Sequence, residues 1–321
     1  MKASLLPEQT DEFTHCHANL VKALRSADTS QYVLTHPESI FYLTGATFEA
    51  LERPFFLLVG ADGRWQLLVP VLEMDHLQKA WGISEETTLT YREFPAPAGQ
   101  GWRDRLLDGG VLSAGFGFED STPHSIAATL LEAGGRAMDL LEPLRLVKSD
   151  WEVGQIERAA TYADWGIERL LRNAYHGATV AETYATTQQL MRKIVREVPH
   201  WDALATKVIA AAWPALLSAQ PHAIPNMGDR LRSGPHVAMV LARVNGYAAE
   251  SERTALHLCA ERRATRDVRA ADRGQTGCVS HDPPRRRMRR DRRGGKPLSR
   301  CVRVRGVPHP AAPLRAWLRP G

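Results

Sequence analysis

A chain of 321 residues, 44% hydrophobic and 24% charged, is long enough for two domains with sizeable cores. It has no candidate membrane span, because apolar runs such as "FFLLV" and "VIAAAW" fall far short of the roughly 18 residues a span needs. The net charge of +5 divides sharply: residues 255–321 hold 17 Arg and 1 Lys against 5 acids, a net of +13, which leaves 23 bases against 31 acids, a net of −8, in residues 1–254.

The opening "MKASLLPEQTDEF" is too polar for a signal peptide, so the expected compartment is the cytoplasm. Cys16 lies in the acidic body, and Cys259, Cys278 and Cys301 lie in the basic tail, with no C-x-x-C pair to suggest zinc. "THCH" at 14–17 is the one His/Cys cluster; it falls in an expected first helix, whose surface accounts for it.

Residues 30–145 alternate β-rich and helical stretches. "SQYVLTHPESIFYLTG" reads as strand, turn and short helix, and "FFLLVGADGRWQLLVP" as two strands joined by the turn signal Ala61-Asp62-Gly63. A helix "LEMDHLQKAWG", a strand "TLTYREFP", a helix "GWRDRLLDGG" and a strand "VLSAGFGFED" follow. "TPHSIAATLLEAGG" is a helix ended by two glycines. "GFGF" at 115–118 lacks the third glycine and the Lys-Ser/Thr of a phosphate loop, so it is read as a strand end.

After the linker "EPLRLVKS", Ser149 and Glu152 form a capping-box signature, and Ile156, Ala160, Ala163, Ile167, Leu170 and Ala174 recur at steps of four and three as one apolar helix face. Thr179 with Glu182 opens a second capped helix over "VAETYATTQQLMRKIVREV". Farther on, "HVAMVLARV" and "YAAESERT" flank Asn245-Gly246, a strong two-residue hairpin signal, with Glu250 and Glu252 on one side of the second strand and Arg253 on the other.

These motifs, in this order, resemble the "pita-bread" hydrolases that include creatinase, aminopeptidase P and prolidase. "YLTG" at 42–45 with a hairpin ending in "LLVP" is similar to their amino-terminal domain, and "LRLVKSDWEVGQIERAATYAD" is similar to the start of their catalytic domain. "PH" at 221–222, then "LRSG", then "GYAAESERT", resembles their first active-site strands. The resemblance covers roughly residues 10–254.

It implies a fold of mixed α/β (α+β) class: a creatinase-like domain over 1–145, the first half of a pita-bread catalytic domain over 146–254, and a disordered Arg-rich tail over 255–321. It implies hydrolysis of a peptide or other C–N bond, in a small peptide or amidine-type substrate, with a divalent metal (Mn, Co or Zn) held by two Asp, one His and two Glu in the peptidases and no metal in creatinase. His222 matches the family histidine that contacts substrate. Glu250 stands where the second Asp ligand belongs, just before x-x-Arg253-Thr254, a pair expected to order the strand. The first Asp belongs eleven residues earlier, where this chain has Met239, and a soft, uncharged thioether does not replace a bridging carboxylate for a hard or borderline ion. The remaining His and Glu ligands have no counterpart after Thr254. The chain is therefore expected to bind no metal and to be inactive; a metal-independent route through His222 is the alternative within the family. A homodimer is compatible with the resemblance.

The tail has two readings. A natural arm "DPPRRRMRRDRRGGK" would bind nucleic acid non-specifically through residues 262–305, by phosphate contacts and counterion release. The competing reading is translation in a shifted frame after Thr254. Written as CTC CGG GCA TGG CTT CGG CCT GGN, Leu314 to Gly321 reads S-G-H-G-F-G-L from the second base, and extension back to His309 gives "ILQHRSGHGFGL", similar to the family's His-bearing segment. Val279 to Gly294 yields "FRMIRPGAACAEIDAA" in the same frame, an amphipathic helix ending at Pro-Gly followed by another helix start, and Ala255 to Cys259 becomes "PFTSA". The shifted frame is preferred, and on that reading the tail's charge and cysteines carry no evolved function.

Overall fold

The computed structural model describes residues 7–49, 52–77, 80–220 and 222–256. The expected tail over 255–321 begins two residues too early, since Ala255 and Leu256 still belong to a strand; the rest of it, 257–321, and Pro221 of the "PH" pair lie outside the described residues.

The elements run α1 (Pro7–Ser26), β1 (Gln31–Leu34), α2 (Pro37–Thr44), β2 (Phe56–Gly60), β3 (Trp65–Pro70), a 3-10 turn (Val71–Glu73), α3 (Met74–Leu77), β4 (Thr88–Tyr91), α4 (Trp102–Leu106), β5 (Gly117–Glu119), α5 (His124–Glu132), β6 (Arg136–Met138) and α6 (Glu142–Leu146). There follow α7 (Asp150–Asn173), α8 (Val180–Tyr184), α9 (Thr186–Glu197), β7 (Lys207–Trp213), α10 (Ala215–Ser218), β8 (Pro235–Val244) and β9 (Tyr247–Leu256). The described residues form two compact units: one runs to Ile156 and takes in Lys193–Lys207 and Arg243–Ala248, and the other takes Glu157–Arg192, Val208–Ala242 and residues 249–256.

The first unit is built on a mixed six-stranded sheet in the order β4-β3-β2-β1-β5-β6. The hairpin at Ala61-Asp62-Gly63 pairs β2 antiparallel to β3, and β1 pairs parallel with β5. Strand alternation sends Tyr32, Leu34, Leu57 and Val59 to one face, against Leu20 and Leu24 of α1 and Ile40 and Leu43 of α2. Val33, Phe56, Leu58 and Phe118 point the other way, against Leu106 of α4 and Ile126 and Leu130 of α5. The sheet is thus covered on both sides, the usual consequence of parallel crossovers. "GFGF" does end in a strand, with Gly117 and Phe118 in β5.

Three local expectations need correction. "THCH" is helix surface only in its first half: Thr14 and His15 are exposed, but Cys16 is buried in the core and His17 is half-buried, its ring 5.9 Å from that of Trp65 and 6.0 Å from that of Trp81. Burial, and to a lesser extent the neighbouring Glu12, push the Cys16 thiol up to about 12, so it stays protonated at neutral pH. The helix over "LEMDHLQKAWG" is only the 3-10 turn and α3 within the described residues. The apolar face of α7 is wider than read, because Ala159 and Tyr162 are buried beside Ala163, Ile167, Leu170 and Ala174, while Ile156 and Ala160 are half-buried.

Both capping boxes form as expected. Ser149 Oγ accepts from Glu152 N at 3.0 Å while Glu152 Oε2 accepts from Ser149 N at 3.0 Å, and Thr179 and Glu182 do the same at the start of α8. The second capped stretch divides into α8 and α9 instead of running as one helix.

The second unit carries most of the three-stranded sheet β7-β8-β9. Its helical cover is close because the contact residues are small: a Cβ on Gly166 of α7 would stand 2.9 Å from Val240 of β8 and 3.1 Å from Leu190 of α9. Ala210 N and Ala212 N of β7 donate to Thr187 Oγ1 at 3.0 Å and Thr183 Oγ1 at 3.1 Å, so helix hydroxyls complete the bonding of that strand where a further strand would otherwise sit.

The turn between β8 and β9 has both central residues at positive φ, Asn245 at 44° and Gly246 at 94°, as a two-residue primed turn demands. Asn245 Oδ1 accepts from Asp202 N at 3.0 Å, Asn245 N donates to Thr206 Oγ1 at 3.1 Å, and Gly246 N donates to Ala205 O at 2.9 Å. A Cβ on Gly246 would lie 2.2 Å from the Phe41 ring. Gly246→Ala therefore adds backbone strain to a steric clash, and it is expected to lower stability by about 2–4 kcal/mol, read as a lower denaturant midpoint at unchanged m-value.

Candidate active site

Strand β8 sets the geometry. Burial alternates residue by residue: His236, Ala238, Val240, Ala242 and Val244 are buried, while Val237, Met239, Leu241 and Arg243 occupy the half-buried opposite face. In β9, Ser251 is buried and donates its Oγ to Asp164 Oδ1 of α7 at 3.1 Å, fixing that side toward the helices. Glu250 and Glu252 are exposed on the other side.

A two-residue turn that sets Val244 opposite Tyr247 also sets Leu241 opposite Glu250 and Met239 opposite Glu252, so all four share one face. On that face the Glu250 carboxyl is held above the usual carboxylate range, first by partial burial and then by the neighbouring Glu252 charge. Arg253 does not neutralise the pair through its carboxylates; its Nη1 donates 2.7 Å to the backbone carbonyl of Glu252, and Thr254 is exposed beside it.

His222 stands in the loop between α10 and β8, exposed and at φ 59°. The position of that loop depends on Trp213, whose indole Nε1 donates to Ala223 O at 2.8 Å. Neither Trp213 nor His236 stood out in the sequence. His236 is fully buried with Nε2 2.6 Å from Arg232 O and Nδ1 3.3 Å from Trp213 O, so it ties the loop to the start of β8. The contact with Trp213 joins residues 23 apart, and only the apolar run "VIAAAW" hinted at a buried strand there.

Chemically, the face offers two neighbouring carboxylates, one thioether, the guanidinium of Arg243 and aliphatic surface. Among the described residues no group of three or more His, Cys, Asp or Glu is placed to hold a metal ion. Nor is any helix among them long and apolar enough to cross a membrane.

A helix-covered mixed sheet, followed along the chain by capped helices and an antiparallel hairpin, matches the fold of solved prolidases. The chain superposes on the prolidase of Pyrococcus horikoshii with a TM-score of 0.64 at 18% identity, covering 83% of this chain and 71% of that one. It superposes on the dipeptidase PepE of Mycobacterium ulcerans with a TM-score of 0.65 at 21% identity, covering 84% and 71%. Residues 17–147 match the family model of the Creatinase/Prolidase N-terminal domain. Among curated relatives, an uncharacterised peptidase of Staphylococcus aureus is 24% identical over 244 residues, and a Xaa-Pro dipeptidase of Pyrococcus horikoshii is 25% identical over 222 residues, 67% of this chain and 56% of the relative. The chain spans 64% of the length of the staphylococcal relatives it matches.

Proposed function

We propose that the chain descends from a prolidase-like hydrolase of small peptides or other C–N substrates and that, as it stands, it does not hydrolyse them by a two-metal route. The observation that carries this reading is Met239 on the face of β8 that Glu250 shares: two divalent ions need bridging carboxylates, and a thioether supplies neither charge nor a hard donor. The Mn, Co or Zn of the peptidase branch does not fit these residues. The shifted frame after Thr254 belongs to the same proposal, since it accounts for the missing carboxy-terminal ligands and for the abrupt turn from −8 to +13 in charge.

One observation favours a second reading within the family: His222 is exposed on a loop held by Trp213, so its imidazole is available to move a proton at a bound substrate without a metal. Purified chain is expected to show no turnover of Xaa-Pro dipeptides or of creatine above background, with or without Mn²⁺. Turnover that persists in EDTA and is lost in His222→Ala establishes the second reading instead. Affinity for RNA that falls steeply between about 50 and 200 mM salt would replace both with a nucleic-acid-binding role for residues 262–305.

A further inference from the structure

We infer that the body of this protein lost its two-metal character independently of anything that follows Thr254, so that even a chain continued in the shifted frame would be metal-free. The inference rests on the proposed hydrolase ancestry. Strand β8, Pro235–Val244, contains no Asp or Glu anywhere along its length. Its polar side chains are His236, buried on the helix-facing side against two carbonyls, and Arg243, a cation.

A register error would not bring in a donor. A slip of one residue would present Ala238 or Val240, a slip of two would present Val237 or Leu241, and the close packing of Gly166 on Val240 holds the strand where it is. Asp164 of α7 is engaged with Ser251 on the opposite side of the sheet. On the facing strand, the longer Glu250 stands in place of Asp, with Glu252 two residues on and their charges left adjacent. One strand without a donor and one with a lengthened donor are changes upstream of the frame. A frame error alone explains neither.

The test uses Mn²⁺ alone as the probe, titrated calorimetrically into the full chain and into its Met239→Asp/Glu250→Asp form. The unmodified chain is expected to show no saturable binding, and the double variant to gain at least about tenfold in affinity. Saturable binding by the unmodified chain that Glu250→Gln abolishes would overturn the inference, as would a folded double variant with no gain. If circular dichroism shows the double variant unfolded, the gene with one base removed ahead of codon 255 and Met239 retained decides: no manganese after gel filtration and a melting temperature indifferent to EDTA support the inference, and two bound equivalents defeat it. A product of that gene that stops early or melts without cooperativity defeats the shifted-frame proposal, while the titration of the existing chain still decides the question of Met239.

Discussion

With one base removed ahead of codon 255, the gene is expected to yield a discrete soluble species where the present chain self-associates. The reason lies in the two outer strands of the second sheet. Along β7, the threonines of α8 and α9 satisfy backbone amides that would otherwise face an empty edge. Along β9, a ten-residue strand, the only neighbouring strand among the described residues is β8. A long edge with a row of unpaired N–H and C=O groups is a template for another chain. The same unit leaves Leu216 89% exposed and Ile224 91% exposed, which adds apolar surface to the open edge. In the shifted frame, β9 would continue through "PFTSA" toward an amphipathic helix and the glycine-rich "HRSGHGFGL" segment, material with the patterning of strands and helices. Light scattering on the two purified products reads the difference. A monodisperse present chain, or stop codons in the second frame, would refute the shifted-frame reading.

The features legible in the sequence were those whose chemistry is local. Ser149 with Glu152, Thr179 with Glu182, and Asn245-Gly246 each solve a backbone problem within a few residues, and each forms where the sequence placed it. Strand β6 escaped notice because "RAM" is three residues long and two of them are exposed, so no alternation marks it. Cys16 and His17 were misjudged because a helix shows only which residues share a face; which face turns inward depends on Leu34, Leu57 and the other sheet residues that α1 covers. The same limit applies near the candidate site. That Glu250 and Glu252 share a side follows from strand periodicity, and Met239 stands out only by comparison with a family pattern. The bond from Trp213 to Ala223 and the burial of His236 arise from chain segments that meet in the folded protein and leave no periodic signature.

As pH rises from the ordinary glutamate range upward, the first unit should lose stability, and Glu152→Gln should flatten that slope. Glu152 is 3% exposed at the start of α7, where its Oε2 accepts from Ser149 N at 3.0 Å and its Oε1 lies 3.5 Å from the Tyr247 hydroxyl. Glu12 faces the same point, accepting from Ser149 Oγ at 2.9 Å and from the Cys16 thiol at 3.5 Å. Tyr42 and Tyr247 complete the surroundings with phenols that burial keeps protonated, and Lys148 is the nearby cation. Burial raises the Glu152 carboxyl above its ordinary value, and Glu12 adds to this, against the opposing pull of the Ser149 amide and Lys148. The folded state therefore binds more protons than the unfolded state in the window between the ordinary and the raised value. Stability falls as pH climbs through that window, and the loss is complete above it. A glutamine cannot ionise, yet its amide oxygen can still accept from Ser149 N, so the variant keeps the cap and sheds the pH-dependent cost. Glu152→Ala also sheds the charge but leaves the Ser149 amide without its partner, which should make it about 1 kcal/mol less stable than Glu152→Gln at every pH. Denaturant midpoints for the three proteins across this pH range measure both effects. A Glu152→Gln protein with the same slope as the unmodified chain would show that the buried carboxyl is not the group responsible.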